Sequence, residues 1–237
     1  MRIEFRQGDV LNVISLTKTI NSKIAEPTEK IVQSYHYSRY QFDIAQGKTS
    51  MQEFFGMDNK VCMDCPFSTN NGAKLSACYT HKINQYSGFL SQLRSIGRKY
   101  KNFDDIPEID ANIMLQIVGL SENRYVRFGT YGEPSLLPEK LISLMCLASR
   151  SWTGYTHQWR KNESLSQWFM ASTHTLEEER IASLIGYRSF VASETQIESL
   201  ISCPASAEMG YKSNCSKCGL CSGTSGKGRK SVVILKH

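Results

Sequence analysis

Apolar and polar positions divide this chain into short segments of two different periods. Ile3-Glu4-Phe5 and the run from Val10 to Leu16 read as two strands, with a turn signal at Gly8-Asp9 between them. Residues 29 to about 55 are predicted helical, because Ile31, Val32, Tyr35 and Phe42 recur at helical spacings up to a break near Gly47. A polar helix is expected to begin at His81 and run towards Leu93. Residues 90–109 turn from basic to acidic with Pro107 as a breaker, and the apolar stretch 111–120 fits either helix or strand. Residues 125–128 then read as a strand, 129–134 as a tight loop, and 138–149 as a helix with Leu141, Leu144, Met145 and Ala148 turned inward.

This strand-loop-helix unit recurs. Residues 153–157 read as a short strand, 158–166 as less regular, and 168–172 as another strand. A helix follows, with Thr175 and Glu178 as a capping box, Ile181, Leu184 and Ile185 inward, and Gly186 as its stop. Residues 189–193 are a strand, 195–201 a short helix, and 232–235 a last strand. Such alternation predicts an α/β protein, since parallel neighbours need a crossover and a helix is its commonest form; a parallel (β/α) barrel or partial barrel is expected. Residues 1–200 would form it with a metal loop inserted at 62–81, and residues 201–237 would add a cysteine-rich segment and the closing strand.

Composition narrows the setting. A chain of 237 residues with 41% hydrophobic content supports one substantial core, and no apolar run approaches a membrane span. The opening Met1-Arg2-Ile3-Glu4-Phe5-Arg6 lacks the apolar stretch of a secretory signal, so residence in the cytoplasm is expected. There, eight cysteines read as metal ligands with a buried remainder rather than as a disulfide framework. The net charge of +6, partly gathered at Lys212, Lys217, Lys227, Arg229 and Lys230, permits a nucleic-acid or other anionic partner; a solvated basic tail fits equally.

Two cysteine groups stand out. Cys203 precedes Cys215-x2-Cys218-x2-Cys221, a spacing that turns consecutive sulfurs onto one zinc ion or one four-iron cluster. The first group is Cys62-x2-Cys65 followed by Cys78-x2-His81. It reads either as a zinc site of three sulfurs and one imidazole, or as Cys62, Cys65 and Cys78 on a four-iron cluster with one iron open. For His81 a place on the surface of its helix is the competing reading. In parallel sheets chemistry gathers where strands end, and there the chain sets Glu133, His157, His174 and Glu194 as candidate catalytic groups. The glycine-rich residues 222–228 lack the features of a phosphate loop and read as a flexible linker. Trp152, Tyr155, Trp159 and Trp168 could stack on bases, but core packing is the commoner use.

Gly129-Thr130-Tyr131-Gly132-Glu133-Pro134, at the end of a strand and after a cysteine triad, resembles the glycine-glutamate-proline loop of radical S-adenosylmethionine enzymes. The resemblance implies a barrel fold, a 4Fe-4S cluster on Cys62, Cys65 and Cys78, and S-adenosylmethionine bound by residues 129–133. It also implies an auxiliary cluster on Cys203, Cys215, Cys218 and Cys221. The chain departs from that family's Cys-x3-Cys-x2-Cys triad, since twelve residues separate Cys65 from Cys78. A second likeness, carried by Cys203-Pro204-Ala205-Ser206, the following Cys-x2-Cys-x2-Cys, residues 153–159 and a final strand ending at His237, is to small phage-associated and bacterial proteins of uncharacterised function. It implies a host-cytoplasmic setting and a nucleotide or nucleic-acid substrate.

Overall fold

Ten strands form two five-stranded sheets among the residues that the computed structural model describes, 1–75, 77, 78 and 80–235. The first sheet holds β1 (Arg2–Gln7), β2 (Val10–Lys18), β3 (Lys30–Ser38), β4 (Tyr125–Tyr131) and β5 (Ser151–Thr153) in that order. The second holds β6 (Tyr155–Thr156), β7 (Met170–Thr173), β8 (Ser189–Ser193), β9 (Ile201–Ser202) and β10 (Val232–Leu235), with β10 lying between β8 and β9. The pairs β1–β2 and β2–β3 are antiparallel, and every later neighbour is parallel. The α/β class therefore holds, but among the described residues neither sheet closes on itself. His237 lies outside the described residues.

Gly154 alone separates β5 from β6. Its N–H donates to the Cys221 carbonyl at 3.3 Å and its carbonyl accepts from Met170 at 3.0 Å, so one run of backbone leaves the first sheet and enters the second. A Cβ here would stand 2.4 Å from the Phe169 ring, which reserves the position for glycine.

The largest departure from the sequence pattern is β3, a strand where a helix is expected. It is a central strand buried on both faces, and because the polar Gln33, Ser34 and His36 are buried along with Ile31, Val32 and Tyr37, apolar and polar positions do not alternate cleanly along it. The helix begins only at Ser38, whose hydroxyl accepts from the Gln41 N–H while the Gln41 side chain accepts in return. Helices α1 (Arg39–Ala45), α2 (Met51–Phe55), α3 (Asn59–Cys62) and α4 (Ile83–Lys99) cover one face of the first sheet around an aromatic core that includes Tyr37, Phe54, Phe89 and Tyr131. Full burial of each ring is worth roughly 2–3 kcal/mol. Helices α5 (Ala111–Ser121) and α6 (Glu139–Ala148) cover the opposite face, over Phe5, Ile14, Val32, Val126 and Phe128.

Other elements shift. Segment 111–120 is helical, and β4 runs on to Tyr131, taking in half of the expected loop. Helix α6 buries Leu141, Ile142, Met145 and Cys146, a stripe rotated away from Leu144 and Ala148. In α7 (Leu176–Leu184) Ala182 faces the core, whereas Ile181 is 40% and Leu184 86% exposed. The polar first turn sets that rotation: Glu178 accepts the His174 N–H and pairs with Arg160, and Glu179 accepts from Ser231, so the capping box is only half formed. Residues 195–200 are not helical; the chain instead enters β9, whose flanking N–H groups donate to Ser231 and Val233 carbonyls.

The segment after β9 packs back across the molecule. Helix α8 (Cys215–Cys218), capped by Asn214, docks on the β2–β3 loop, where Cys215 and Ser216 N–H groups donate to the Lys23 and Ile24 carbonyls at 2.9 Å each. Residues 222–230 are held rather than loose, because the buried Arg188 guanidinium donates to the carbonyls of Leu220, Gly223 and Lys230. No helix among the described residues is long and apolar enough to cross a membrane.

Candidate metal centre

The first cysteine group is fastened to the end of β4. Glu133 N–H donates to the Val61 carbonyl at 2.6 Å, one residue before Cys62. Gly132 makes this approach possible: its φ is +80°, and a Cβ would stand 2.8 Å from His36 Cβ and 3.2 Å from the Val61 carbonyl oxygen. A second tie joins Lys161 to Asp64 at 2.5 Å. Between the two cysteines Met63 holds φ 49° and ψ −120°, a strained conformation costing about 1–3 kcal/mol that persists only where its surroundings dictate it.

The Cys62 thiol is pushed well above its ordinary pKa, first by burial and then by Asp58 and the Cys65 and Cys78 thiols. Burial also raises Cys78, against the opposing Thr80 hydroxyl at 3.0 Å. Ionising one of these thiols would set its charge against its neighbours, a penalty that a bound cation would offset. They are gathered without being closed on one point: among the described residues no three His, Cys, Asp or Glu groups stand together as a metal-binding set.

His81, expected beside them as a ligand, is turned inward. Nδ1 lies 2.7 Å from the Leu75 carbonyl, Nε2 lies 3.3 Å from Asp58, and the ring packs 4.3 Å from that of Phe55. Its side chain is 1% exposed. Together with Asp58, which also accepts from Ser68, it forms a buried polar layer beneath the cysteine loop.

Glu133, His157 and His174 meet at the rim. The Glu133 carboxylate accepts the His157 N–H at 2.9 Å and the Ser135 N–H at 3.2 Å, with the His157 ring Nδ1 at 3.8 Å. Burial, the largest influence on Glu133, opposes its ionisation, but His157 and Thr156 outweigh it and hold the carboxyl below its ordinary value. On His157 burial acts downward, and Cys65 with Glu133 reverses it, raising the imidazole pKa to about 10. Its Nε2 is buried without a hydrogen-bond partner. The His174 ring stacks on His157 at 5.9 Å, with Phe67 edge-on at 4.9 Å, and the neighbouring Thr173 hydroxyl is also buried and unpartnered. Glu194 is exposed beyond β8.

Of the predicted cofactor loop, several members serve the framework. Thr130 donates to Gln33 at 3.3 Å, and the Tyr131 hydroxyl accepts from Gln41 at 2.6 Å with its ring in the aromatic core. Gly129 N–H donates to Ser34, the first link of a buried chain that continues through His36 to Asn12. His36 is a site-supporting residue the sequence pattern hid, because the helical reading of residues 29–55 removed it from the sheet. Burial, opposed by the Glu133 charge, lowers its pKa from 6.5 to about 4, so the ring is neutral; Nδ1 donates to Asn12 and Nε2 accepts from Ser34.

The second cysteine group sits at the other end of the parallel strands. Cys215 packs on Tyr125, the first residue of β4, and Ser151 at the start of β5 donates to the Ser216 carbonyl at 3.3 Å. Burial is the chief cause that raises Cys203, Cys221 and Cys215, the last to about 11, and the neighbouring thiols add to it. Beside them a groove of about 450 Å³ is lined by Arg150, Lys217 and Lys227, with Trp152, Glu29 and Cys218. Thiol and imidazole donors are of the kind that borderline and soft metals such as zinc and iron prefer.

Comparison with known proteins yields no match: no family model, no curated protein and no solved structure matches the chain significantly.

Proposed function

We propose that the chain is an iron-sulfur enzyme of the radical S-adenosylmethionine type, built on a partial barrel. Cys62, Cys65 and Cys78 would hold a 4Fe-4S cluster at the C-terminal rim of the parallel strands. The observation that carries this reading is the 2.6 Å bond from Glu133 to Val61, which joins the cysteine loop to the Gly-Glu-Pro turn. When bound, the cluster and S-adenosylmethionine supply reductive cleavage chemistry; the protein binds, orients and excludes water. Glu133 keeps acceptor capacity beyond its two N–H partners, as a cofactor amino group requires. The rim residues His157 and His174 would face a nucleotide or nucleic-acid substrate, and the second cysteine group would hold an auxiliary, fully ligated cluster. Protein purified without oxygen should be brown with iron and sulfide, and Cys78→Ala should fold yet stop cofactor cleavage. Colourless wild-type protein with stoichiometric zinc would sink the proposal.

The basic groove supports a second reading, a zinc-stapled nucleic-acid-binding protein in which both cysteine groups are structural. Arg150, Lys217 and Lys227 would contact phosphates and Trp152 would offer a stacking face. It predicts salt-sensitive binding of single strands that Lys217→Ala and Lys227→Ala weaken, without any cofactor cleavage.

A further inference from the structure

We propose that His157 supplies the fourth ligand of the metal held by Cys62, Cys65 and Cys78, with Glu133 as the carboxylate that orients it. The inference rests on the metal-binding part of the function proposed above and changes its donor set. Spacing singles out His81, but Nδ1 of that ring is bonded to the Leu75 carbonyl, Nε2 faces Asp58 at 3.3 Å, and the ring is packed against Phe55. His157 is in the opposite condition. Its backbone N–H is fixed to Glu133 at 2.9 Å, the same carboxylate lies 3.8 Å from Nδ1, and Nε2 is buried with nothing to bond. Cys65 is the thiol of the loop whose charge acts on the ring.

Metal-bound histidines characteristically give their second ring N–H to a carboxylate, which selects the tautomer and orients the ring. Glu133 is positioned for that role: Nδ1–H stays towards the carboxylate while the metal displaces the Nε2 proton to solvent and takes that lone pair. Three thiolates and one imidazole form a complete tetrahedral set for zinc and equally cap a four-iron cluster. Among the described residues the four groups do not stand together as a metal-binding set, so binding has to draw them in; the thiols share one loop, and that loop is tied to the His157 segment through Lys161 and Asp64. His174, stacked on the outer face, and Phe67 limit how far the imidazole can swing. Any cofactor that enters the fourth position then competes with His157.

The test uses full-length protein reconstituted with cobalt(II), whose ligand-field and thiolate charge-transfer bands report the donor set. Cys62→Ala isolates the first group by difference. His157→Ala should shift those bands and weaken metal retention against a chelator by at least about tenfold, the lower end of what even an outer-shell loss costs. His157→Cys should restore retention with an all-thiolate spectrum, and His81→Ala should leave the spectrum unchanged. If His157→Ala keeps the wild-type bands and retention while Cys62→Ala loses them, the ligand assignment is wrong and the metal site stands. If Cys62→Ala changes nothing, the metal site itself is wrong. Should His157→Ala not fold, the Cys variant decides, and a spectrum identical to wild type overturns the assignment.

Discussion

Replacing Gly132 by alanine tests whether the cysteine loop depends on its contact with the sheet. The residue has φ +80°, and its new Cβ would meet His36 Cβ at 2.8 Å, His36 O at 3.1 Å and Val61 O at 3.2 Å. The left-handed conformation costs a residue with Cβ about 1–2 kcal/mol. Forcing a methyl against two main-chain oxygens and a packed strand adds about 1–3 kcal/mol. Relief by moving Val61 would stretch the adjacent bond from Glu133, worth about 1 kcal/mol. A destabilisation of about 2–5 kcal/mol is therefore expected in urea unfolding, with weakened metal retention at Cys62 and none at Cys218. Gly8→Ala is the control, because Gly8 has φ +56° but nothing within 4 Å of the added carbon. If the two variants lose the same stability, the close approach at Gly132 carries no energy and the pinned loop is not pinned.

Three further outcomes follow from named contacts. His36 has a pKa lowered from 6.5 to about 4 by burial, so its contribution is full above the ordinary value and is lost as pH falls through this window, by about 3 kcal/mol in all. Urea midpoints of wild type and His36→Gln should converge in slope above pH 6.5 and diverge below it; parallel profiles would refute the assignment. Arg188→Lys keeps the charge but cannot fork onto three carbonyls, so a loss of about 1–3 kcal/mol and new proteolytic cleavage within 222–230 are expected, and unchanged resistance would argue against the clamp. Cys215→Ala, or chelation of wild type, should free segment 203–221 from Lys23 and Ile24 and expose it to protease. Equal resistance of loaded and stripped protein would mean that no metal staples it.

Much of the parallel half was readable because β7, β8 and β10 are short, apolar and bounded by turn residues. β3 was not, since its buried polar residues Gln33, Ser34 and His36 break the alternation that marks a strand, and the partners that let them be buried lie elsewhere in the chain. The outward rotation of α7 depends on partners distant in sequence, Arg160 and Ser231, which no local window contains. The same limit explains the site. Cys62, Cys65, Glu133 and His157 were each visible as residues at loops or strand ends, but the fastening of the cysteine loop to the end of β4 depends on a tertiary contact between Glu133 and Val61. His81 drew attention because Cys-x2-His is a local spacing; the buried Asp58 that claims its Nε2 has no sequence signature of that kind.

Gly154 links the two ends of this arrangement. This one residue donates its N–H to the Cys221 carbonyl and accepts the Met170 N–H at its own carbonyl, and His157 follows three residues later, directly after β6. The sulfur-rich tail and the rim are thus terminals of a single short lever with its fulcrum in the backbone. A displacement of the Cys221 carbonyl therefore acts on the same residue that fixes the entry of β6.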